Sequence, residues 1–143
     1  MTKGLLIAFA MMGICLVIHV IGIVFLGEYL LSRRERIEAR VRATYSAFVL
    51  IFVFSVLIVL HMVEATIWAG FYAWRGLFHD FETSLYFSLT SYSTLGYGDV
   101  LLPATWRLLG TIEGISGVLL CGLSISFLFV IVNALFQFRR KST

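Results

Sequence analysis

The chain has 143 residues, of which 60% are hydrophobic, 15% are aromatic and only 13% are charged. Soluble domains carry roughly twice that share of charged residues, so the composition excludes a soluble fold and indicates a membrane protein. The formal net charge is +3. Its placement along the chain is more informative than its size.

Three stretches are long and apolar enough to cross a bilayer. Residues 4–27 and 43–63 contain no Asp, Glu, Lys or Arg, and residues 108–138 contain a single acid, Glu113. Each stretch exceeds the roughly 20 residues that a helix needs to cross a ~30 Å hydrocarbon layer. The first apolar stretch is also longer than the core of a secretory signal, so we predict a true N-terminal transmembrane helix over 1–32.

Basic residues cluster at two places that predict the orientation. One cluster lies in the linker 33–42 and the other in the tail 139–143, with two predicted spans between them; the members are Arg33, Arg34, Arg36, Arg40, Arg42, Arg139, Arg140 and Lys141. Short loops rich in Lys and Arg stay in the cytoplasm. We therefore expect both clusters inside, next to anionic lipid headgroups, and the N-terminus outside.

A shorter apolar segment separates the second and third spans. Residues 80–93 have a helical pattern, with Asp80 as a candidate N-cap and Glu82 in the first turn. A helix of this length reaches only about 20 Å, which is too short to cross the membrane. We predict a re-entrant helix whose C-terminal end, with its partial negative charge, points into the membrane towards a cation.

The segment that follows, TLGYGD at 94–99, cannot be helical throughout and lies next to predicted membrane. Irregular backbone survives at that depth only where protein buries it or where it lines a wet space. The segment resembles the selectivity filter of potassium channels, and the resemblance covers residues 43–138. It implies an outer helix at 43–65, a pore helix at 80–93, a filter at 94–99 and an inner helix at 106–138. It also implies an all-α homotetramer with four filters around one axis.

The resemblance implies roles for six filter residues. The backbone carbonyls of Thr94, Leu95, Gly96 and Tyr97, with the Thr94 hydroxyl, would coordinate K⁺. A dehydrated K⁺ ion needs such rings of oxygen in place of its water shell. Glycine permits the backbone angles that the filter requires, which is the role expected of Gly96 and of Gly98. Asp99 would lie at the outer mouth, where a ring of carboxylates concentrates cations.

The resemblance also implies residues that support the filter. Relatives bond the filter aspartate to a pore-helix tryptophan; here Tyr86 and Phe87 occupy that region, and the Tyr86 hydroxyl is the candidate partner of Asp99. Thr90 stands where some relatives have glutamate. We expect selectivity to be retained although Leu95 replaces the commoner valine or isoleucine.

Three features of the spans leave alternatives open. Glu113 lies inside a span, so it should face the protein or a wet cavity, either attracting cations or bonding the pore helix near Ser91 or Ser93; we favour the second. Gly117 is a candidate gating hinge or a site of close helix packing. Glu64 is interpreted as an interfacial acid, with a functional site as the alternative.

The histidines His19 and His61 are interpreted as packed and hydrogen-bonded, with pH sensing as the alternative. No motif for a nucleotide, a cofactor or a catalytic site is present, so we expect no enzyme activity, no cofactor other than the permeant K⁺, and no nucleic-acid partner.

The sequence therefore predicts a passive K⁺ channel in a bacterial inner membrane or plasma membrane. A non-conducting regulatory or assembly subunit and a weakly selective cation channel are the alternatives.

Overall fold

The computed structural model describes residues 2–39 and 43–141, and within these ranges all regular structure is helical. The helices are α1 (Thr2–Ser32), α2 (Arg34–Ala39), α3 (Ala43–Trp74), α4 (Phe81–Tyr92) and α5 (Arg107–Lys141). Three of them are long and apolar enough to cross a membrane, over Gly4–Ser32, Thr44–Trp74 and Arg107–Arg140. The prediction of three spans in an all-α fold is confirmed. Met1, Arg40, Val41, Arg42, Ser142 and Thr143 lie outside the described residues.

Helix α3 is nine residues longer than the predicted outer helix 43–65. The additional turns bury Trp68, Ala69 and Tyr72 completely, and these residues continue one packed face of the helix. The helix ends where Gly76 adopts a left-handed conformation with φ 63°. The Gly76 N–H donates to the Ala73 carbonyl and the Leu77 N–H to the Tyr72 carbonyl, both at 3.0 Å. This Schellman motif needs a glycine at that position, which explains the length of α3.

Helix α4 occupies the range predicted for the short helix, with Asp80 and Ser93 as its caps. The Thr83 N–H donates to Asp80 Oδ1 at 2.6 Å and the Thr83 hydroxyl donates to Oδ2 at 2.9 Å. These bonds favour the carboxylate form and hold the pKa of Asp80 below its ordinary value. The cap therefore fixes the N-terminal end of α4 by satisfying its free amides.

Helix α4 packs between α3 and α5. Its buried face consists of Ser84, Phe87, Ser88 and Tyr92. Helix α5 meets it through a face of three glycines: Gly110, Gly114 and Gly117. A Cβ atom at Gly110 would lie 2.9 Å from the Phe87 ring and one at Gly114 would lie 3.1 Å from the Ser91 carbonyl oxygen; at Gly117 it would overlap the Tyr92 carbonyl. The glycines let the two helix backbones approach closely.

Helix α1 packs on α5 and on α3. At one end of the bundle, Ile37 of α2 is buried together with Leu135 of α5. There the Arg34 guanidinium lies 5.5 Å from the centre of the Phe138 ring. The described parts of the two basic clusters therefore lie at the same end of the bundle, as two intervening spans require.

We predict that Gly117→Ala destabilises the protein by about 1–3 kcal/mol, because the added methyl group meets a backbone oxygen that cannot rotate away. Gly122→Ala is the matched control on the same helix, since no atom lies within 4 Å of its Cβ position. Denaturant unfolding in detergent, followed by circular dichroism, measures the difference. A Gly117→Ala protein as stable as the control would contradict the packing role and favour the hinge.

Candidate functional site

The backbone after α4 alternates in handedness along the segment 94–99. Thr94, Gly96 and Gly98 have φ values of 61°, 52° and 77°, whereas Leu95 and Tyr97 between them keep negative φ. Sequence reasoning assigned this conformation to the two glycines; Thr94 shares it, although a β-branched residue at positive φ costs about 1–3 kcal/mol.

Hydrogen bonds from the end of α4 hold this conformation. The Thr94 N–H donates to the Ser91 carbonyl and the Gly96 N–H donates to the Thr90 carbonyl, each at 3.0 Å. These carbonyls belong to the last turn of α4, which has no helical partners for them. Thr90, predicted to support the filter, thus contacts it through its main chain, while its hydroxyl donates to the Phe87 carbonyl at 3.0 Å.

A side-chain hydrogen bond joins α4 to the end of the segment. The Tyr86 hydroxyl donates to Asp99 Oδ2 at 2.7 Å, which is the contact expected where relatives have tryptophan. The bond holds the pKa of Asp99 below its ordinary value and raises the pKa of Tyr86. Asp99 is therefore a carboxylate at neutral pH, held at a fixed distance from the pore helix.

The outer side of the segment has no cover within the described part of the chain. Leu95 is 60% exposed and Tyr97 is 68% exposed. A groove of about 600 Å³ runs beside them, lined by residues of α4, the segment and α5 that include Thr94, Leu101 and Gly114. These exposed apolar side chains mark the segment and the groove as a contact surface.

Glu113 of α5 is completely buried behind α4. The Tyr72 hydroxyl donates to its Oε2 at 2.6 Å, and Ser88 Oγ lies 2.5 Å from its Oε1. The prediction that Glu113 bonds α4 near Ser91 or Ser93 named the wrong serines. The reason is the direction of the side chains: Ser88 belongs to the buried face of α4, whereas the Ser93 hydroxyl donates to the Leu89 carbonyl.

The hydrogen bonds around Glu113 favour its neutral form. Ser88 Oγ lies 2.6 Å from the Ala65 carbonyl as well as next to Glu113, so the group contains three short oxygen contacts. Three hydrogen bonds need three protons, and the hydroxyls of Tyr72 and Ser88 supply two. The third bond is complete only when Glu113 carries a proton of its own, which it can share with Ser88. A neutral acid avoids the cost of burying a charge in an apolar bundle.

A second buried acid, Glu64, lies in a closed ring of five side chains. The interpretation of Glu64 as an interfacial acid is wrong, because its side chain is 0% exposed. His19 Nδ1 lies 2.7 Å from Glu64 Oε1, and the Tyr92 hydroxyl donates to Glu64 Oε2. His61 Nδ1 lies 2.8 Å from the Tyr92 hydroxyl, and the same nitrogen lies 3.3 Å from Glu64 Oε2, a longer contact that shares its proton. Ser124 Oγ lies 3.1 Å from Nε2 of both histidines. We call this set, Glu64, His19, Ser124, His61 and Tyr92, the Glu64 ring.

The Glu64 ring confirms that both histidines are packed and hydrogen-bonded, and the sequence did not predict it as a cluster. One signal for it was present: His61 and Glu64 stand three residues apart and so share a helix face. His19 is on a different helix, and nothing in its spacing from the other two indicates the contact. The ring draws one side chain each from α1, α4 and α5 and two from α3.

The donor atoms of His19, His61 and Glu64 lie within 4.8 Å of one another and are of the types that zinc prefers. Two ligands at the usual 2.0–2.1 Å from a tetrahedral zinc ion are about 3.3 Å apart. The 2.7 Å between His19 Nδ1 and Glu64 Oε1 is shorter and is a hydrogen-bond distance. The geometry is therefore that of a hydrogen-bonded ring.

A short helix that ends inside the bundle, an irregular segment with alternating handedness and one long span on each side define the pore module of a membrane channel. A family model described as an ion channel matches residues 45–134, more than half of the chain. The chain therefore belongs to this ion channel family, and α1 lies outside the matched range. No curated protein and no solved structure matches the chain significantly.

We predict that Tyr86→Phe raises the pKa of Asp99, because the carboxylate loses the hydroxyl that stabilises its charged form. A lowered pKa keeps a carboxylate charged until the pH falls through that value, so in the variant the charge is lost at a higher pH. Asp80 and Asp99 are the two aspartates of the chain. Labelling aspartate with ¹³C at the carboxyl group gives two signals that can be titrated by NMR.

Asp80 is the internal control for this titration, since its partner is Thr83 and not Tyr86. Its titration should be the same in both proteins. An Asp99 signal that titrates identically in wild type and Tyr86→Phe would show that the hydrogen bond has no influence on the filter mouth.

Proposed function

We propose that the protein is a potassium-selective channel that conducts K⁺ passively through a homotetrameric pore. The observation that carries the proposal is the alternating backbone of 94–98, with positive φ at Thr94, Gly96 and Gly98, placed at the C-terminal end of a helix that stops inside the bundle. Such a backbone presents carbonyl oxygens in series. Rings of carbonyl oxygens select for K⁺ by replacing its hydration shell.

In this proposal one chain supplies a quarter of each oxygen ring. The carbonyls of Thr94, Leu95, Gly96 and Tyr97 form successive rings, and the Thr94 hydroxyl adds a further oxygen at the inner end. The negative end of the α4 dipole points at the same ions. No cofactor is required, because the permeating ion is the only ligand.

The uncovered surface of the chain supports a tetramer. Leu95 and Tyr97 are mostly exposed, and the groove beside them is lined by the same segment and by α5. A carbonyl-rich segment facing lipid would leave its polar groups without partners. Neighbouring copies around a common axis enclose the segment and give it a water-filled path.

Charge placement supports the orientation that we propose. With the two basic clusters in the cytoplasm, the N-terminus and the Asp99 carboxylate face the outside. The chain resides in a bacterial inner membrane or plasma membrane, where the arginines of α2 contact anionic headgroups. The Asp99 carboxylates raise the local concentration of cations at the outer mouth.

Flux from liposomes tests the proposal and separates it from its alternatives. Purified protein should release K⁺ much faster than Na⁺, and Ba²⁺ should block the release. Equal K⁺ and Na⁺ flux would identify a weakly selective cation channel. A tetramer in detergent without flux of either ion would identify a regulatory or assembly subunit, and a monomer without flux would overturn the proposal.

We predict that Gly96→Ala abolishes K⁺ flux and leaves the oligomer intact. No atom lies within 4 Å of the Cβ position, so the effect comes from the backbone angle of φ 52° and not from a clash. Alanine costs about 1–2 kcal/mol there, which lowers the population of the conducting conformation roughly 5-fold or more in each subunit. If four subunits must adopt it together, flux falls by at least about 10²-fold.

Gly13→Ala is the control, because it also adds a methyl group where no atom lies within 4 Å, but in a helix. Its flux should equal that of wild type. Normal conduction by Gly96→Ala would rule out this segment as the filter.

A further inference from the structure

The Glu64 ring is not used by ion conduction as proposed above, yet it connects the four longest helices of the chain at one point. Four of its members are buried, and His61 is partly buried. Tyr92 is the last residue of α4, two positions before Thr94, and its carbonyl is the group that meets Gly117. A change in the hydrogen bonds of the ring therefore acts on Thr94, at the inner end of the proposed filter.

The ring contains five short contacts and each needs one proton. With Glu64 as a carboxylate and both histidines neutral, the ring has four protons: one on each imidazole, one on Tyr92 and one on Ser124. In one of the five contacts, two acceptor atoms would then face each other with no proton between them. A fifth proton, on Glu64 or on either imidazole, completes all five hydrogen bonds.

The five-proton ring has no net charge. If the proton is on Glu64, every member is neutral; if it is on a histidine, the imidazolium balances the carboxylate. The four-proton ring carries one negative charge, and a six-proton ring carries one positive charge and places two protons in one contact. Burial in an apolar bundle penalises both charged forms. The arrangement of the side chains thus matches a single protonation state.

We propose that the Glu64 ring is a proton-binding site, closed by five protons, that holds the pore-helix residue Tyr92 in place and releases it when the fifth proton is lost. Loss of that proton leaves one contact unbonded and a negative charge inside the bundle. The Tyr92 hydroxyl bridges Glu64 and His61, so it is the member that connects this change to the filter. Potassium flux should therefore fall as the pH rises.

Other titratable groups face the ring from the surrounding helices. These are Cys15 of α1, Cys121 of α5 and, on the next turns of α5, Glu113. Glu113 is hydrogen-bonded by Tyr72 and Ser88, which do not belong to the Glu64 ring. The variant that tests the ring must therefore leave these three groups unchanged.

Glu64→Gln is that variant, because an amide reproduces the five-proton ring without a titrating acid. The N–H of the introduced amide donates to His19 Nδ1, and the other bonds run in one direction around the ring through Ser124, His61 and Tyr92 back to the amide oxygen. Both histidines stay neutral and all five bonds are made, with the second amide hydrogen lying outside the ring contacts. The variant keeps the shape of the side chain, so the tetramer and the conducting state should persist.

The decisive measurement is the unfolding temperature of the purified protein between about pH 6.5 and 9, compared between wild type and Glu64→Gln. Above about pH 6.5 the unfolded chain holds a carboxylate and two neutral histidines, one proton fewer than the closed ring. If the folded ring is closed by five protons, it holds one proton more than the unfolded chain, so its stabilisation is present at low pH and lost as the pH rises. Glu64→Gln has no such proton to lose.

We expect the unfolding equilibrium constant of wild type to rise by up to tenfold per pH unit relative to the variant, a relative shift of roughly 3–6 °C per pH unit. Cysteine ionisation in the unfolded state affects both proteins equally and cancels in the difference. Glu113→Gln is the control acid: it removes the alkaline loss that the buried Glu113 itself contributes, and it should retain the part of the loss that distinguishes wild type from Glu64→Gln.

Parallel wild-type and Glu64→Gln curves across this range would overturn the proposal, as would an alkaline loss that Glu113→Gln removes completely and Glu64→Gln keeps in full. The part of the proposal that concerns flux rests on the proposed channel function and is tested separately in liposomes. There, wild-type flux should fall with rising pH and Glu64→Gln flux should stay at the level of wild type at low pH. If neither protein conducts, the channel function fails while the unfolding curves still decide whether the ring binds the proton.

Discussion

Two completely buried acids, Glu64 and Glu113, must each be neutral or paired with a hydrogen-bonding partner. The side chains that satisfy them also fix the packing of α4. Glu113 is satisfied by the hydroxyls of Tyr72 and Ser88. Glu64 is satisfied within a ring that includes Tyr92. Ser88 and Tyr92 lie four residues apart on the same face of α4, so each acid binds the short helix at a different level. An apolar interface alone would not fix the helix along its axis, whereas these polar contacts do.

The fixed helix in turn sets the conformation of the filter. Its last carbonyls accept the amides of Thr94 and Gly96, and its Tyr86 hydroxyl binds Asp99 beyond them. The segment is thus held at its start, its middle and its end by a single element. This explains how Thr94 can be kept at a positive φ that a β-branched residue avoids in free chains.

Composition and hydrophobic length were sufficient to predict the three spans, because burying the backbone in lipid leaves few alternatives to a helix. The length of the short helix and its aspartate cap likewise predicted α4 correctly. The end of α3 was missed because Gly76 stops the helix through a Schellman motif, and an aromatic-rich stretch such as 66–74 gives no indication on its own.

Less of the candidate site than of the fold could be predicted from the sequence. The irregular segment 94–99 could be located, since glycine and polar residues between apolar spans have few explanations; its role as a filter stays a prediction. The partners of Glu113 and Glu64 could not, because helical spacing gives the face of a residue but not the register between two helices. Ser88 instead of Ser91 is an error of one helical turn, and His19 reaches its partners from a helix far away in the chain.

The glycine face of α5 has a mechanical consequence. At Gly117 the backbone of α5 directly contacts the Tyr92 carbonyl of α4. Because glycine has no side chain, nothing on α5 separates the two backbones there or absorbs a displacement. A tilt of α5 at the end that carries Leu135 therefore displaces the C-terminal end of α4. The glycine contact thus couples the tilt of α5 to the position of the segment 94–99, which is hydrogen-bonded to the last turn of α4.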